Sequence, residues 1–108
     1  MLAGFSQGGA IAINTVLRAG RKLAGLMALS TWLPLQEALQ GDSVDPSTPV
    51  FMAHGSFDPM IPMQYGRFAA DALTDAGFDV DWHDYPMAHA VCPQEIDDIR
   101  SWLLAVLA

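Results

Sequence analysis

Apolar residues fall along this chain in two kinds of run, and the two alternate. Met1-Leu2-Ala3 reads as a short strand stub. Ala10, Ile11, Asn14 and Leu17 then recur at helical spacing, and Gly20 follows where a left-handed cap ends a helix of about three turns. Ala24 to Ser30 is continuously apolar, too short for most helices and suited to a central parallel strand buried on both faces. Residues 31–47 carry Pro34, Gly41, Asp42, Ser43, Asp45, Pro46 and Ser47, which predicts a turn-rich loop with one helical turn around Leu35 to Leu39. Strand character resumes from Pro49 to His54. A second helix fits Met63 to Ala76, with Phe68, Ala69, Ala72, Leu73 and Ala76 on one stripe and Gly77 as its stop. Phe78 to Asp84 alternates apolar and polar, as a strand near a sheet edge does. Pro93 at a first helical position opens a closing helix whose expected buried stripe is Ile96, Ile99, Leu103 and Leu107.

Strand and helix in alternation predict the α/β class, a mainly parallel sheet of three to four strands joined by right-handed crossovers. With 108 residues, 52% of them hydrophobic, the chain is long enough for one domain with its own core. In such sheets, ligands and catalytic groups gather just beyond the carboxyl ends of the strands. Ser6, Asp58 and His89 all have that address, following the strands that end near Ala3, His54 and Tyr85. A serine hydroxyl is a poor nucleophile until an imidazole takes its proton, and the imidazole needs a carboxylate to fix its tautomer. Each residue also has a plainer reading: Ser6 as a helix cap between turn glycines, Asp58 as a turn opener before Pro59, His89 as a loop histidine packed on Met87. Together, in the chain order Ser, Asp, His, the three favour nucleophilic catalysis.

Charge narrows the field of partners. Twelve Asp and Glu against five Lys and Arg give a net charge of −7, which repels phosphate backbones and offers no basic stripe to nucleic acid or anionic lipid. No apolar run approaches a membrane span and no targeting segment is evident, so no membrane insertion is expected. The single Cys92 excludes an internal disulfide, which makes the cytoplasm the default compartment; it reads as a small residue at the mouth of the last helix, with a thiol activated by the helix N-terminus as the alternative. His54, Asp58, His83 and His89 lack any metal-ligand spacing, so neither a metal nor another cofactor is expected. His54 instead reads as hydrogen-bonded within the loop that carries Asp58.

Gly4-Phe5-Ser6-Gln7-Gly8-Gly9, His54-Gly55-Ser56-Phe57-Asp58-Pro59 and Tyr85-Pro86-Met87-Ala88-His89, with Pro93-Gln94-Glu95-Ile96 after it, resemble the carboxylesterase and acyl-protein thioesterase family of small α/β hydrolases. The resemblance runs nearly end to end but covers what looks like the carboxyl-terminal half of such an enzyme, making residues 1–108 part of a single α/β-hydrolase domain. It implies Ser6 as nucleophile, His89 as general base and then acid, Asp58 as its orienter, and the Gln7 N–H as one oxyanion donor. The family's second donor comes from a His-Gly-Leu-Gly kind of loop that nothing in this sequence matches, so weak or no activity is expected of the chain alone. The family usually has glycine where this chain has Ala88. Trp32, Leu33 and Pro34, which leave a central strand, and Met60, Ile61 and Met87, which flank the expected site, are candidate contacts for an acyl chain, with ordinary rim and core packing as the alternative. The expected partner is a small ester or thioester. A different class of function is a non-catalytic interaction module: a strand stub at Met1 to Ala3 leaves an open sheet edge, and such edges seek partners. On that ground the chain is expected to form a homo-oligomer through Met1 to Ile13, or to be held by an amino-terminal half.

Overall fold

The computed structural model describes residues 1–33 and 45–107, so the helical turn expected at Leu35 to Leu39, and Pro34 with it, lie outside the described residues. Strands and helices alternate as β1 (Leu2–Phe5), α1 (Gln7–Ala19), β2 (Leu26–Leu29), β3 (Val50–Gly55), α2 (Met63–Asp75), β4 (Val80–Tyr85) and α3 (Pro93–Val106). All three pairings are parallel, and the strands lie side by side in chain order. This is the expected α/β architecture, a partial α/β-hydrolase sheet.

The register brings the carboxyl ends level, with Phe5 beside Leu29, Leu29 beside Ala53 and Ala53 beside His83. Backbone bonds continue past the strands: Ser6 N–H donates to the Leu29 carbonyl, Ser30 N–H to Ala53 and Ser56 N–H to Tyr85, each at 2.8 Å. The loops that carry chemistry are therefore anchored where they leave the sheet.

Helices cover both faces, as a parallel sheet requires. Along the fully buried β3, Val50 and Met52 face α1 and α2, where Ile13, Val16, Leu17, Ala69 and Leu73 complete one cluster. Phe51 and Ala53 face α3, where Met27, Tyr85 and Trp102 complete the other. Each fully buried Leu or Ile side chain contributes about 1.5–3 kcal/mol. α1 ends at Gly20 in the left-handed conformation (φ 66°), and α2 is followed by Gly77 at φ 100°, the two stops that the glycines predict.

The helical faces depart from expectation in three places. Ile11 and Phe68 point outward, so α1 and α2 bury Ala12, Ile13, Val16 and Ala70 in their place. In α3 the expected buried stripe is overturned: Ile96 and Leu107 are 57% and 60% exposed, and Ile99 and Leu103 are half-buried. Glu95 and Trp102 are the residues that α3 buries. The apolar arc of this helix is wider than its line of contact with the sheet, and its outer side forms an open groove with Arg100 and Leu104. β2 is also shorter than its apolar run, because Ala24 is already exposed.

Candidate active site

Ser6 sits at the turn from β1 into α1 with φ 58° and ψ −123°, a conformation that costs an L-residue on the order of 1–3 kcal/mol. Tertiary bonds hold it there. Its N–H is tied to Leu29, and its carbonyl accepts from Thr31 Oγ1 at 2.6 Å and from the Gly9 and Ala10 amides at 3.0 and 3.2 Å. Gly4 makes so sharp a turn possible, because a Cβ there would lie 2.1 Å from the Gly8 carbonyl oxygen. The Ser6 hydroxyl makes no capping bond to α1. It lies 3.0 Å from His89 Nε2.

Asp58 leaves β3 through Gly55-Ser56-Phe57. Its carboxylate is buried: Oδ1 accepts from the Met60 and Ile61 amides at 2.9 Å each, and Oδ2 lies 2.6 Å from His89 Nδ1. Burial alone pushes this carboxyl up, but the Ile61 amide, the His89 ring and the Met60 amide outweigh it and hold Asp58 below the usual carboxylate range. A carboxylate accepts, so Nδ1 of a neutral His89 carries the proton and Nε2 is free to accept from the Ser6 hydroxyl. The ring rests on Phe5, centroids 4.7 Å apart.

The two loops are fastened together. Ser56 donates to the Tyr85 carbonyl through both N–H and Oγ, and Phe57 N–H donates to Met87 at 3.1 Å. Ala88 needs no glycine conformation, since Ser6 and Ser30 are the non-glycine residues with positive φ among the described residues. The Gln7 N–H is the first amide of α1, among those with no carbonyl one turn back to bond.

Trp32, Leu33, Met60 and Ile61 converge on one groove of about 370 Å³ that begins directly after Thr31 and Asp58, and Pro62, Tyr65 and Phe68 complete its wall. Met87 lies elsewhere, packed against the cluster beneath α3. Sequence reasoning missed Tyr65, and assigned Phe68 to the core stripe of α2. It also missed Thr31, the clamp on Ser6, and Glu95. The Glu95 side chain is 0% exposed with neither carboxylate oxygen hydrogen-bonded, and burial pushes its carboxyl from 4.5 up to about 7. The Cys92 backbone N–H and the charge of His83 oppose that rise, and the charge of Asp98 adds to it. Cys92 itself is half-buried at the N-cap of α3. Among the described residues no helix is long and apolar enough to cross a membrane.

Residues 1–107 match the phospholipase/carboxylesterase family model. The chain is 40% identical over 109 residues to acyl-protein thioesterase 1 of Gibberella zeae, covering 95% of this chain and 46% of that protein. It is 39% identical over 123 residues to acyl-protein thioesterase 1 of Cryptococcus neoformans, covering 99% and 52%. The crystal structure of SOBER1 from Arabidopsis thaliana superposes with a TM-score of 0.88 at 30% identity, over 98% of this chain and 52% of that one. The chain thus spans about half the length of the curated relatives it matches. A four-stranded parallel sheet with serine, aspartate and histidine gathered at its carboxyl edge, and a family match along nearly its whole length, place this chain in the phospholipase/carboxylesterase family of α/β hydrolases.

Proposed function

We propose that the chain carries the nucleophile, base and acid of a serine hydrolase that cleaves carboxylic esters or thioesters, and that residues 1–108 are the carboxyl-terminal part of one such domain. The observation that carries this reading is the unbroken run of contacts from Ser6 Oγ to His89 Nε2 at 3.0 Å and from His89 Nδ1 to Asp58 Oδ2 at 2.6 Å. In the reading, His89 Nε2 takes the hydroxyl proton as Ser6 Oγ attacks the acyl carbon, and Asp58 stabilises the imidazolium that forms. The carbonyl electrons move onto oxygen, where the Gln7 N–H stabilises the negative charge. When the tetrahedral species collapses, the alcohol leaves with the proton from His89, or a thiol leaves more readily as the better leaving group. Water, deprotonated by His89, then attacks the acyl-serine and restores the free hydroxyl. The groove of Trp32, Leu33, Met60 and Ile61 receives the acyl chain, and relatives named acyl-protein thioesterases fit an apolar acyl group. Hydrolysis of a short p-nitrophenyl ester, with fluorophosphonate labelling at Ser6, tests the reading. Activity that survives Ser6→Ala overturns it.

A second reading, assembly rather than catalysis, is favoured by one observation: Met1, Phe5 and Ile11 present exposed apolar side chains along the edge strand β1 and the adjoining α1. In it the chain associates with copies of itself or with a complementary half-domain, through the outer edge of β1. Light scattering decides, since a stable mass of 11.6 kDa excludes the homo-oligomer.

A further inference from the structure

His54 is a histidine in the middle of a parallel sheet, 1% exposed, in a strand whose other side chains are apolar. A buried imidazole destabilises such a position unless its polar atoms are satisfied. Its Nε2 lies 2.6 Å from the Ile61 carbonyl oxygen. A carbonyl only accepts, so Nε2 carries the proton and donates. The same nitrogen stands 3.7 Å from Asp58 Oδ2, too far for a hydrogen bond but close enough to bias where the carboxylate rests. Ile61 therefore joins two bonds, its carbonyl accepting from His54 while its N–H donates to Asp58 Oδ1 at 2.9 Å.

The ring also reaches α2. A Cβ on Gly66 would lie 2.3 Å from His54 Nδ1, so the imidazole occupies the space that a side chain at position 66 would need. Gly66 stands between Tyr65 and Phe68, which line the groove together with Ile61. One buried ring thus touches the turn that carries Asp58 and the helix that carries the far wall of the groove.

We propose that His54, seated on Gly66, is a positioning residue for Asp58 and for the groove wall: its Nε2–H fixes the 58–61 turn, and that turn aims the carboxylate at His89. The proposal rests on the hydrolase reading for its consequence in rate, but not for its structural claim. If His54 only fills space, an apolar side chain of similar size replaces it without effect. If it acts through its donor, the replacement has to keep an N–H at the same point.

Five variants separate the two, with His54→Ala alone as the reference for the double variant. His54→Gln keeps an N–H donor near the Nε2 position, and His54→Leu keeps bulk without a donor. Gly66→Ala evicts the ring, whereas in the His54→Ala background the same methyl enters vacated space. The first readout is hydrogen exchange of the Met60 and Ile61 amides, referenced to the Met52 amide in β3 so that global destabilisation cancels. The second is the rate of Ser6 labelling by a fluorophosphonate. In His54→Leu and in Gly66→Ala, exchange of both amides rises about 10–100-fold relative to Met52 and labelling slows by a similar factor, as expected for a lost buried hydrogen bond. His54→Gln stays within about threefold of the parent, because its donor replaces the one removed. Equal exchange in His54→Leu and His54→Gln overturns the proposal, and so does a Gly66→Ala effect of the same size with and without His54. If no variant, nor the parent, is labelled, the isolated chain lacks hydrolase reactivity and the exchange pattern alone decides the role of His54.

Discussion

Replacing Glu95 with glutamine stabilises the fold at pH 8 much more than at pH 5. The carboxyl is buried at the third position of α3 with neither oxygen hydrogen-bonded, and burial raises it from 4.5 to about 7. Its folded-state value lies above its unfolded one. Between pH 4.5 and 7 the unfolded chain therefore releases this proton while the folded chain keeps it, so the folded state loses stability as pH rises. At 1.36 kcal/mol per unit, the displacement amounts to about 3 kcal/mol, fully expressed above pH 7. That is a large share of the 5–15 kcal/mol that typically separates folded from unfolded domains, about a fifth to three fifths. Glutamine has nearly the same shape and no proton to lose, so its variant lacks the decline. Urea unfolding followed by tryptophan fluorescence at pH 5 and pH 8 gives the two free energies for each protein. The expected result is a gap between variant and parent that widens by about 2.5 kcal/mol from pH 5 to pH 8. A gap that stays constant, or a parent equally stable at both pH values, refutes the reasoning.

Four further outcomes follow from geometry already described. Under the proposed hydrolase reading, Asp58→Asn slows fluorophosphonate labelling of Ser6 by up to about 10⁴-fold, because the amide no longer fixes the His89 tautomer, and a labelling time course reads the loss even where ester turnover is weak. Asp58 is held below its ordinary 3.8, so its contribution to stability is present above that pH and disappears as pH falls through its folded value. The urea unfolding midpoint of Asp58→Asn correspondingly falls less steeply with pH below about 4. Gly4→Ala drives a methyl into the Gly8 backbone and costs about 1–3 kcal/mol or more in urea unfolding, with loss of fluorophosphonate labelling. Leu104→Glu, on the open face of α3, changes stability by less than about 0.5 kcal/mol, and a much larger loss would show that this face is covered in solution.

What the sequence made legible was what local rules control. Glycines next to Ser6 and Asp58, a proline opening α3 and the shift between periods of 2 and 3.6 residues reveal strand ends, and in a parallel sheet strand ends are where chemistry collects. Ser6, Asp58 and His89 could be named for that reason, and so could His54 as a partner within the Asp58 loop. Periodicity identifies the apolar positions of a helix but not what lies against them. For α3 it gave Ile96 and Leu107 as buried, whereas the sheet reaches only as far as Trp102 and Glu95. Phe68 went astray in the same way, assigned to the core when it lines a groove. Glu95 was invisible because acidic residues are ordinarily solvated, and only the packed structure reveals the exception.

Ser6 and His89 are 83 residues apart, and the strands that carry the site lie side by side in chain order, with β1 and β4 at opposite edges of the sheet. Each parallel pairing must wait for a crossover to close, a slow kind of contact to make. The geometry at Ser6 is therefore complete only once β4 has docked and the His89 loop has settled against Phe5. Under the hydrolase reading, the reactivity of a single hydroxyl thereby reports long-range assembly: a fluorophosphonate pulsed during refolding marks only those molecules in which β4 and the His89 loop have docked.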